Sequence, residues 1–462
     1  MATVSVITLG CDKNTVDSER ILAELAGQGL EPAGAPESAD VIVVNTCGFI
    51  DAAKQESIEA IVEAGRLKTG GACRVLAAVG CMVERHKAEL QGELPEVDLF
   101  LGTSEMDRLA AELAARGMLT GGYTAHPGTR LYAGDLPHVR YLKVSEGCDH
   151  GCAFCAIPLM RGRHRSFGLD ALVREAQMLE LQGAREVNLV AQDLAHYGRD
   201  VRDGTQLPEL LEALLAGTSI PWFRLLYIYS AGLTPKLLEL MAREPRIVPY
   251  LDMPIQHGSD HVLARMRRPE RARTIRETVA RVRDALPDAA IRTTCIVGFP
   301  GETPDDVARL CDLLEDVRFE RVGAFTYSEQ EGTRAAALAD DVPEAEKRER
   351  LERVTELQRG ITADRYERLV GRTVEAIVDR AGAAGGLEAR VRWQADDIDG
   401  ITRVRGSAPA GAIVRVTVDE VVDDYDLAAR LERVVLAPPA APPGRSRALP
   451  VIGGVTGGSF GR

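Results

Sequence analysis

Cysteine is the residue type on which chemistry in this chain can turn, and spacing sorts its nine thiols into sets. Cys148, Cys152 and Cys155 stand in Ser145-Glu-Gly-Cys-Asp-His-Gly-Cys-Ala-Phe-Cys-Ala, a Cys-x3-Cys-x2-Cys run. Three thiolates on one short loop can hold three irons of a 4Fe–4S cluster and leave the fourth iron open to a ligand. An open iron is a site for chemistry, whereas a cluster with four thiolates is mainly an electron carrier. A zinc knuckle and a chance cluster are the competing readings. Closed zinc sites take four ligands, commonly as two close cysteine pairs, and His150 is the one nearby donor to complete a set. The open cluster is therefore the reading we take.

Cys11, Cys47 and Cys81 lie far apart in sequence but in equivalent surroundings. Residues 4–9 are apolar and lead into Gly10-Cys11 and a helical stretch near 15–28. Residues 40–46 end at Cys47, before a helix near 51–65, and residues 73–79 end at Gly80-Cys81. Short apolar runs alternating with helical patterns predict a doubly wound parallel α/β domain over residues 1–120, with its site at the strands' carboxyl edge. Cys47 and Cys81 also stand close to the start of the next helix, whose dipole favours a thiolate. A lone cysteine is commonly a small buried hydrophobe. Three of three at equivalent loop positions favours a second three-thiolate cluster instead. Cys73, Cys295 and Cys311 fall inside strands or helices and read as core.

Residues 121–138, rich in Gly, Pro and Thr, read as a linker. From 139 to 367 six strand–helix units follow, with strands at 140–144, 186–191, 223–229, 248–253, 290–297 and 321–327 and a long charged last helix. This α/β pattern predicts a partial TIM-like (βα)6 barrel whose site lies at the strands' carboxyl ends. Cys148, Cys152 and Cys155 follow the first strand, at that edge. Gln192-Asp193, Gln256-His257 and Gly298-Phe-Pro-Gly-Glu302 stand at equivalent ends, where turn and cap roles compete with ligand roles. Residues 368–436 change to short alternating stretches broken by glycine, the pattern of a small antiparallel β-barrel that carries RNA or protein contacts. Residues 437–462 hold five Pro and six Gly and are expected to be disordered.

A chain of 462 residues, 45% apolar and 27% charged, calls for two or three domains. It has no long apolar run and no basic-then-apolar N-terminal segment, so neither membrane insertion nor secretion is expected. Sparse cysteines in such a chain read as metal or redox chemistry in a reducing cytoplasm. The net charge of −13 argues against general binding to nucleic-acid backbones. Residues 1–120 carry 10 Lys and Arg against 19 Asp and Glu, an excess that suits either solubility or a face for a basic partner. Residues 368–436 carry 10 against 12, with Trp393 and Tyr425 as their single Trp and Tyr. An RNA-binding barrel normally shows a basic stripe and stacking aromatics.

The Cys-x3-Cys-x2-Cys spacing is similar to the signature of radical S-adenosylmethionine enzymes, in which the cofactor's amino and carboxylate groups occupy the open iron. Two three-cysteine sets, the second inside a six-unit βα domain, then a small β domain, resemble the methylthiotransferase family over roughly residues 3–436. The words that carry the resemblance are Leu9-Gly-Cys-Asp-Lys-Asn14, Val44-Asn-Thr-Cys-Gly-Phe-Ile50, Gly80-Cys81, the radical motif, Pro158-Leu-Met-Arg-Gly162 and Gly298-Phe-Pro-Gly-Glu302. The resemblance implies an auxiliary 4Fe–4S cluster on Cys11, Cys47 and Cys81. It also implies a second cluster on Cys148, Cys152 and Cys155 that binds S-adenosylmethionine, and a TRAM identity for the small barrel. Asp17-Ser-Glu-Arg-Ile21, Val190-Ala-Gln-Asp193, Asp252-Met-Pro-Ile-Gln-His257 and Asp424-Tyr-Asp-Leu427 are similar to the branch that modifies an aspartate of small-subunit ribosomal protein S-twelve. The branch that modifies a tRNA adenosine, the alternative reading, usually has Gly-Gln-Asn where this chain has Ala191-Gln-Asp193. Phe167 and Tyr229-Ser230 depart from common family residues.

The chemistry so implied is radical, because an aspartate β-carbon is not acidic enough for ready proton abstraction. In the family, S-adenosylmethionine cleaved at the first cluster gives a 5′-deoxyadenosyl radical that takes the hydrogen. A sulfide carried by the auxiliary cluster, methylated by a second S-adenosylmethionine, is then captured by the carbon radical. The implied partners are the ribosomal protein, an electron donor and a sulfur donor, with no membrane and no tRNA. The 298–302 turn is expected to help seat the cofactor, and Phe154 to pack near it. A two-cluster electron carrier is disfavoured, since its thiolates would come as four and four.

Overall fold

Valine, isoleucine and alanine cover both faces of the first sheet, and that two-sided burial sets its topology. The protein is described from a computed structural model covering residues 2–121, 129–132, 134, 136–382 and 385–438. Strands β1 (Thr3–Thr8), β2 (Glu31–Pro32), β3 (Val41–Thr46), β4 (Val75–Gly80) and β5 (Leu99–Gly102) are parallel, in the order β2-β1-β3-β4-β5. Successive side chains point to opposite faces. Val41, Val43, Ala77 and Val79 pack with Ile21, Leu22 and Leu113 of the helices Asp12–Gly27 and Leu109–Ala115. Ile42, Val44, Leu76 and Ala78 pack with Ile61, Met82 and Val83 of the helices Asp51–Gly70 and Cys81–Glu93. The sequence pattern predicts three strands where five form. β2 is two residues long with an edge proline, and β5 is a four-residue apolar run too short to distinguish from helix. The order reverses between β1 and β3, which places a topological switch point, the usual seat of a site, between those two strands.

Strand β6 (Val139–Lys143) opens the second domain and is followed by the two-residue strands β7 (Ser145–Glu146) and β8 (Arg165–Ser166), which pair across the cysteine-bearing loop. Strands β9 (Glu186–Val190), β10 (Trp222–Leu225), β11 (Ile247–Asp252), β12 (Ala290–Val297) and β13 (Arg321–Thr326) join β6 in one parallel sheet in consecutive order. This is the predicted six-unit partial barrel. Val187, Leu189, Phe223, Leu225 and Ile291 face the outer helices in the largest apolar cluster. Tyr141, Asp252 and Arg292 alternate with such residues and face the lumen.

Strands β14 (Thr373–Ala381), β15 (Leu387–Val391), β16 (Thr402–Arg405), β17 (Ile413–Val422) and β18 (Asp426–Leu436) close a small barrel. It departs from the antiparallel expectation at one seam, because β16 and β18 run parallel. Five strands cannot close a ring with every neighbour antiparallel, so one parallel pair is required. The small barrel is pinned to the base of the larger one. Arg390 pairs with Glu186 at 2.7 Å, Tyr250 donates to Asp399 at 2.6 Å and Trp393 donates to the Asp288 carbonyl at 2.6 Å. Tyr425 lies under Arg321, 3.6 Å from the guanidinium carbon. Both aromatics of the small barrel are thus engaged within the chain.

Within the linker, residues 122–128, 133 and 135 lie outside the described residues, but Arg130 is fully buried and bridges Glu19 at 2.6 Å to Glu175 at 3.0 Å. Arg140 also reaches Glu19, at 2.9 Å. This segment therefore stitches the first domain to the second. The expected disordered tail falls outside the described residues from 439 onward. Among the described residues no helix is long and apolar enough to cross a membrane.

Glu19→Gln removes the carboxylate that two buried arginines share, leaving charge unpaired, and should cost about 3–5 kcal/mol. Urea unfolding followed by circular dichroism should show the first-domain transition at lower denaturant. A loss below about 1 kcal/mol would contradict the buried-pair account.

Candidate active site between the two sheets

The three loops that carry Cys11, Cys47 and Cys81 all leave the carboxyl ends of their strands, on either side of the switch point. Two glycines press them together. Gly10 has φ +89°, and a Cβ there would fall 2.7 Å from that of Cys47. Gly80 has φ +99°, and a Cβ there would meet the Thr46 carbonyl at 2.8 Å. Only glycine accepts both the backbone and the closeness. Asn14 ties the loops by donating to the carbonyls of Leu9 (2.7 Å) and Thr46 (3.2 Å), while the Cys47 amide donates to Ser57 Oγ at 3.0 Å. The helix after Cys47 begins at Asp51, as expected, with three residues between it and the thiol. Cys81 is itself the first residue of its helix, and Cys11 occupies the N-cap position of another without a side-chain cap hydrogen bond.

Cys148, Cys152 and Cys155 follow β6 and β7 at the matching edge of the barrel sheet. A stack of side chains holds this loop. His150 lies flat between His196 (centroids 4.3 Å apart) and Tyr229 (4.1 Å), and its Nε2 is 2.8 Å from Asp193 Oδ2. Arg268 closes the stack 3.9 Å from the Tyr229 ring centre. Tyr229 and Arg268 both then reach Cys152, with the Tyr229 hydroxyl at 3.3 Å and Arg268 Nη1 at 3.8 Å from its sulfur. Asp193 also accepts from the amides of Ala195 and Tyr229, so it is a cap and a buttress. Phe154 packs with Ala153, Phe299 and Tyr327.

Arg161 connects the two sets. It lies in the short helix Ile157–Arg161 just after Cys155, yet its Nε donates to Cys81 Sγ at 3.2 Å. Its other nitrogens reach Asp17 (2.7 Å), Glu146 (3.1 Å) and Asn14. Burial pushes the Asp17 carboxyl up, but Lys143 and Arg161 outweigh it and hold the group at about 2. The two cysteine sets therefore face one another across a single domain junction.

Among the described residues, neither set of three sulfurs is gathered as closely as a lone tetrahedral ion requires. Tetrahedral zinc with bonds of about 2.3 Å draws its sulfurs to about 3.8 Å from one another. Among the described residues, the one group of three or more such donors gathered within 4.8 Å is His150, Asp193 and His196, and no cysteine belongs to it. That group is a hydrogen-bonded stack, and His150 is spent within it rather than completing a zinc knuckle. Cys47 and Cys81 are buried, while Cys11, Cys148, Cys152 and Cys155 are half-buried. Burial, with Cys11 beside it, pushes Cys47 up to about 12. Burial pushes Cys81 up to about 11, against the pull of Arg161. Burial likewise carries Cys148 to about 11 and Cys155 to about 12.

The remaining polar words divide between scaffold and lumen. Glu302 accepts from the Gly298 amide at 2.9 Å and from Arg350 at 2.9 Å, and lies 3.3 Å from His257, so its carboxylate closes its own turn. Gln192 and Gln256 each keep a buried side-chain oxygen without a hydrogen-bond partner, Gln256 on a backbone of φ +72°. Phe167 packs against the barrel core. Cys73, Cys295 and Cys311 are buried among apolar side chains. Sequence reasoning finds the thiols, meets Asn14, Arg161 and Tyr229 only as parts of longer words with no role of their own, and misses Arg268, because none of the four carries a spacing signal.

Comparison with known proteins gives the same three-part division. Residues 3–102 match Uncharacterized protein family UPF0004, residues 142–314 the Radical SAM superfamily, and residues 370–431 the TRAM domain. Ribosomal protein uS12 methylthiotransferase RimO of Anaeromyxobacter sp. (strain Fw109-5) is 44% identical over 471 residues, covering 98% of this chain and 100% of that protein. The protein of the same description from Geobacter sulfurreducens is 41% identical over 442 residues, covering 92% and 97%. Among solved structures, the radical S-adenosylmethionine methyltransferase TsrM from Kitasatospora setae is 14% identical with a TM-score of 0.51, over 70% of this chain and 73% of that one, a likeness of fold.

The raised thiols set a pH dependence for protein prepared without iron. Thiols ordinarily titrate near 9.0, and these remain protonated in the folded chain to about 11 or 12. The unfolded chain releases those protons first, so the stability they contribute is complete below pH 9 and is lost as pH rises beyond it. Urea midpoints of iron-free protein should fall between pH 8.5 and about 10.5, and the Cys47→Ala variant should fall less. An equal fall in both would remove Cys47 from the account.

Proposed function

The chain belongs to the family of ribosomal protein uS12 methylthiotransferases, and from that premise we propose that it places a methylthio group on the β-carbon of an aspartate in uS12. The observation that carries the reading is the facing of two three-cysteine sets across one junction, with Arg161 reaching from beside one set to a sulfur of the other. Cys148, Cys152 and Cys155 would hold the 4Fe–4S cluster to which S-adenosylmethionine binds. Cys11, Cys47 and Cys81 would hold the auxiliary one. When bound, these groups supply the hydrogen abstraction from the aspartate and the methylthio sulfur.

The chain's own residues position and shield. Arg161 and Arg268 each bring positive charge to one thiolate sulfur, and the Tyr229 hydroxyl donates to the second of these, which favours the anionic ligand sets that iron requires. The stack of His196, His150 and Tyr229 fixes the ring order beside Cys152 and so fixes the loop. Phe154 and Phe299 fill the space behind that loop and exclude water. Orientation of this kind is worth more to a two-centre reaction than any added acid or base.

A protein target suits the small barrel better than tRNA does. Trp393 and Tyr425 are both engaged inside the chain, and Arg403, Arg405 and Arg430 are each paired with acidic side chains of the same barrel. Arg415 and Arg433, neighbours across β17 and β18, are exposed without an acidic partner, but two free guanidinium groups and no free stacking ring among the described residues of the barrel fall short of the basic stripe and aromatics that RNA recognition uses.

Anaerobically reconstituted protein should bind about eight irons, the content of two 4Fe–4S clusters. Alanine at Cys148, Cys152 and Cys155 should remove about half of them and all cleavage of S-adenosylmethionine. Alanine at Cys11, Cys47 and Cys81 should also remove about half, yet leave cofactor cleavage uncoupled from product. Mass spectrometry of ribosomal proteins incubated with the loaded protein should show one methylthio mass on a uS12 aspartate, and digested tRNA should show none. Modified tRNA with unmodified uS12 would replace this reading with the adenosine one.

A further inference from the structure

Lys13 is only 7% exposed, yet among the described residues its ammonium enters no salt bridge and no hydrogen bond. Its Nζ rests 3.4 Å from the centre of the Tyr227 ring. A ring face offsets some of the charge but accepts none of the three N–H donors in a normal hydrogen bond. The neighbouring Asp12 carboxylate offsets part of that charge through space but accepts none of its hydrogen bonds, so the ammonium's donors remain open to an incoming anion. Its place in the fold supports the same conclusion. Lys13 is the second residue of the helix Asp12–Gly27, whose start at Cys11 has no side-chain cap, so the positive end of the helix dipole lies beside it. Tyr227 stands just beyond β10 with φ +63°, a strained backbone for an aromatic residue. It is held there by Asp252, which accepts from its amide at 3.3 Å, and by Asp12, 3.4 Å from its hydroxyl. Two residues further on, Tyr229 touches Cys152. Lys13 therefore sits between the two cysteine sets, next to Cys11.

Resting on the aspartate reading above, we infer that Lys13 binds the side-chain carboxylate of the target aspartate and so selects an aspartate over its neutral relatives. The reacting β-carbon is bonded directly to the carboxylate carbon, about 1.5 Å away. A cation that holds the carboxylate thus fixes the reacting carbon within one bond length, which a contact to any more distant part of the substrate cannot do. In the absence of substrate the ammonium parks on Tyr227, and the incoming carboxylate supplies the acceptors that the ring lacks.

The test uses reconstituted full-length protein and two synthetic peptides spanning the uS12 aspartate loop, one with the aspartate and one with asparagine in its place. Fluorescence anisotropy should show wild type binding the aspartate peptide roughly tenfold or more tighter. Lys13→Met should lose most of that preference, and Lys13→Arg should keep much of it, with iron content in each variant as the control for folding. Equal preference in wild type and Lys13→Met would overturn the assignment while leaving the uS12 reading intact. Wild type that binds neither peptide would overturn the uS12 reading and this inference with it. The carboxylate of S-adenosylmethionine is the other source of the same chemistry, so equilibrium dialysis with that cofactor forms the second arm. Lost cofactor binding with retained peptide preference would assign Lys13 to the cofactor and overturn the inference.

Discussion

One guanidinium holds the two halves of the site in register. Arg161 is 8% exposed and meets a thiol, two carboxylates and an amide at once, drawn from both domains. Hydrogen bonds to charged groups contribute about 1.5–3 kcal/mol each, and a buried partner left alone costs several more. No arrangement of the domains that separates Arg161 from Asp17 and Cys81 escapes that penalty. Lys143 reinforces the constraint by pairing with the same Asp17 and Glu146. The loop that follows Cys155 is thus held against Cys81 by electrostatics. The flanking Glu19, Arg130, Arg140 and Glu175 cluster repeats the device further along the same interface.

That arrangement explains which parts of the molecule are legible from sequence. The six cysteines stand out because loop ends repeat, and the six barrel strands because each is a bounded apolar run. Both are local signals. Arg161 and Asn14 meet across 147 residues of chain, and Tyr229 meets Cys152 across 77, so no window of sequence contains either pair. Gly, Pro and Thr at residues 121–138 suggest a linker, but composition does not reveal that Arg130 within it is buried between the domains it joins. A single arginine carries the segment inward, and one residue cannot outweigh its neighbours in a compositional reading. The helix start after Cys47 is legible as well, since Asp51 opens it, but three residues separate it from the thiol and a helix dipole acts only close to its first turn.

The small barrel shows how charge can be present without being offered. Its arginines nearly balance its acids, which from sequence alone leaves open a basic face on one side and an acidic face on the other. The structure removes much of that freedom. Arg390 is buried against Glu186 and Asp379, Asp399 is reached by Tyr250 and Arg321, and Asp419 takes both Arg405 and Arg430. Most of the domain's charge is spent on holding its own strands and on plugging the lumen. What it presents outward is weaker than its composition suggests, and the lumen it closes gains a base lined by Asp396, whose carboxyl burial raises to about 7.

The thiols and arginines are best understood together. Burial holds Cys47, Cys81, Cys148 and Cys155 above their ordinary range, so before iron arrives these thiols are neutral and add no negative charge to the folded site. Iron then requires thiolates, and each set becomes strongly anionic in a poorly hydrated place. Cations recruited only at that moment would have to be desolvated and ordered late. Here they are already ordered, because Arg161 is satisfied by Asp17, Glu146 and Asn14, and Arg268 by Glu270 and the Pro254 carbonyl, at 3.0 and 2.8 Å. The acidic partners keep the arginines in place while leaving an N–H of each directed at a sulfur. Preorganisation of this kind places the cost in folding rather than in cluster loading. It also ties the two loading events together, since Arg161 can face Cys81 only when the loop that carries Cys155 is itself in position.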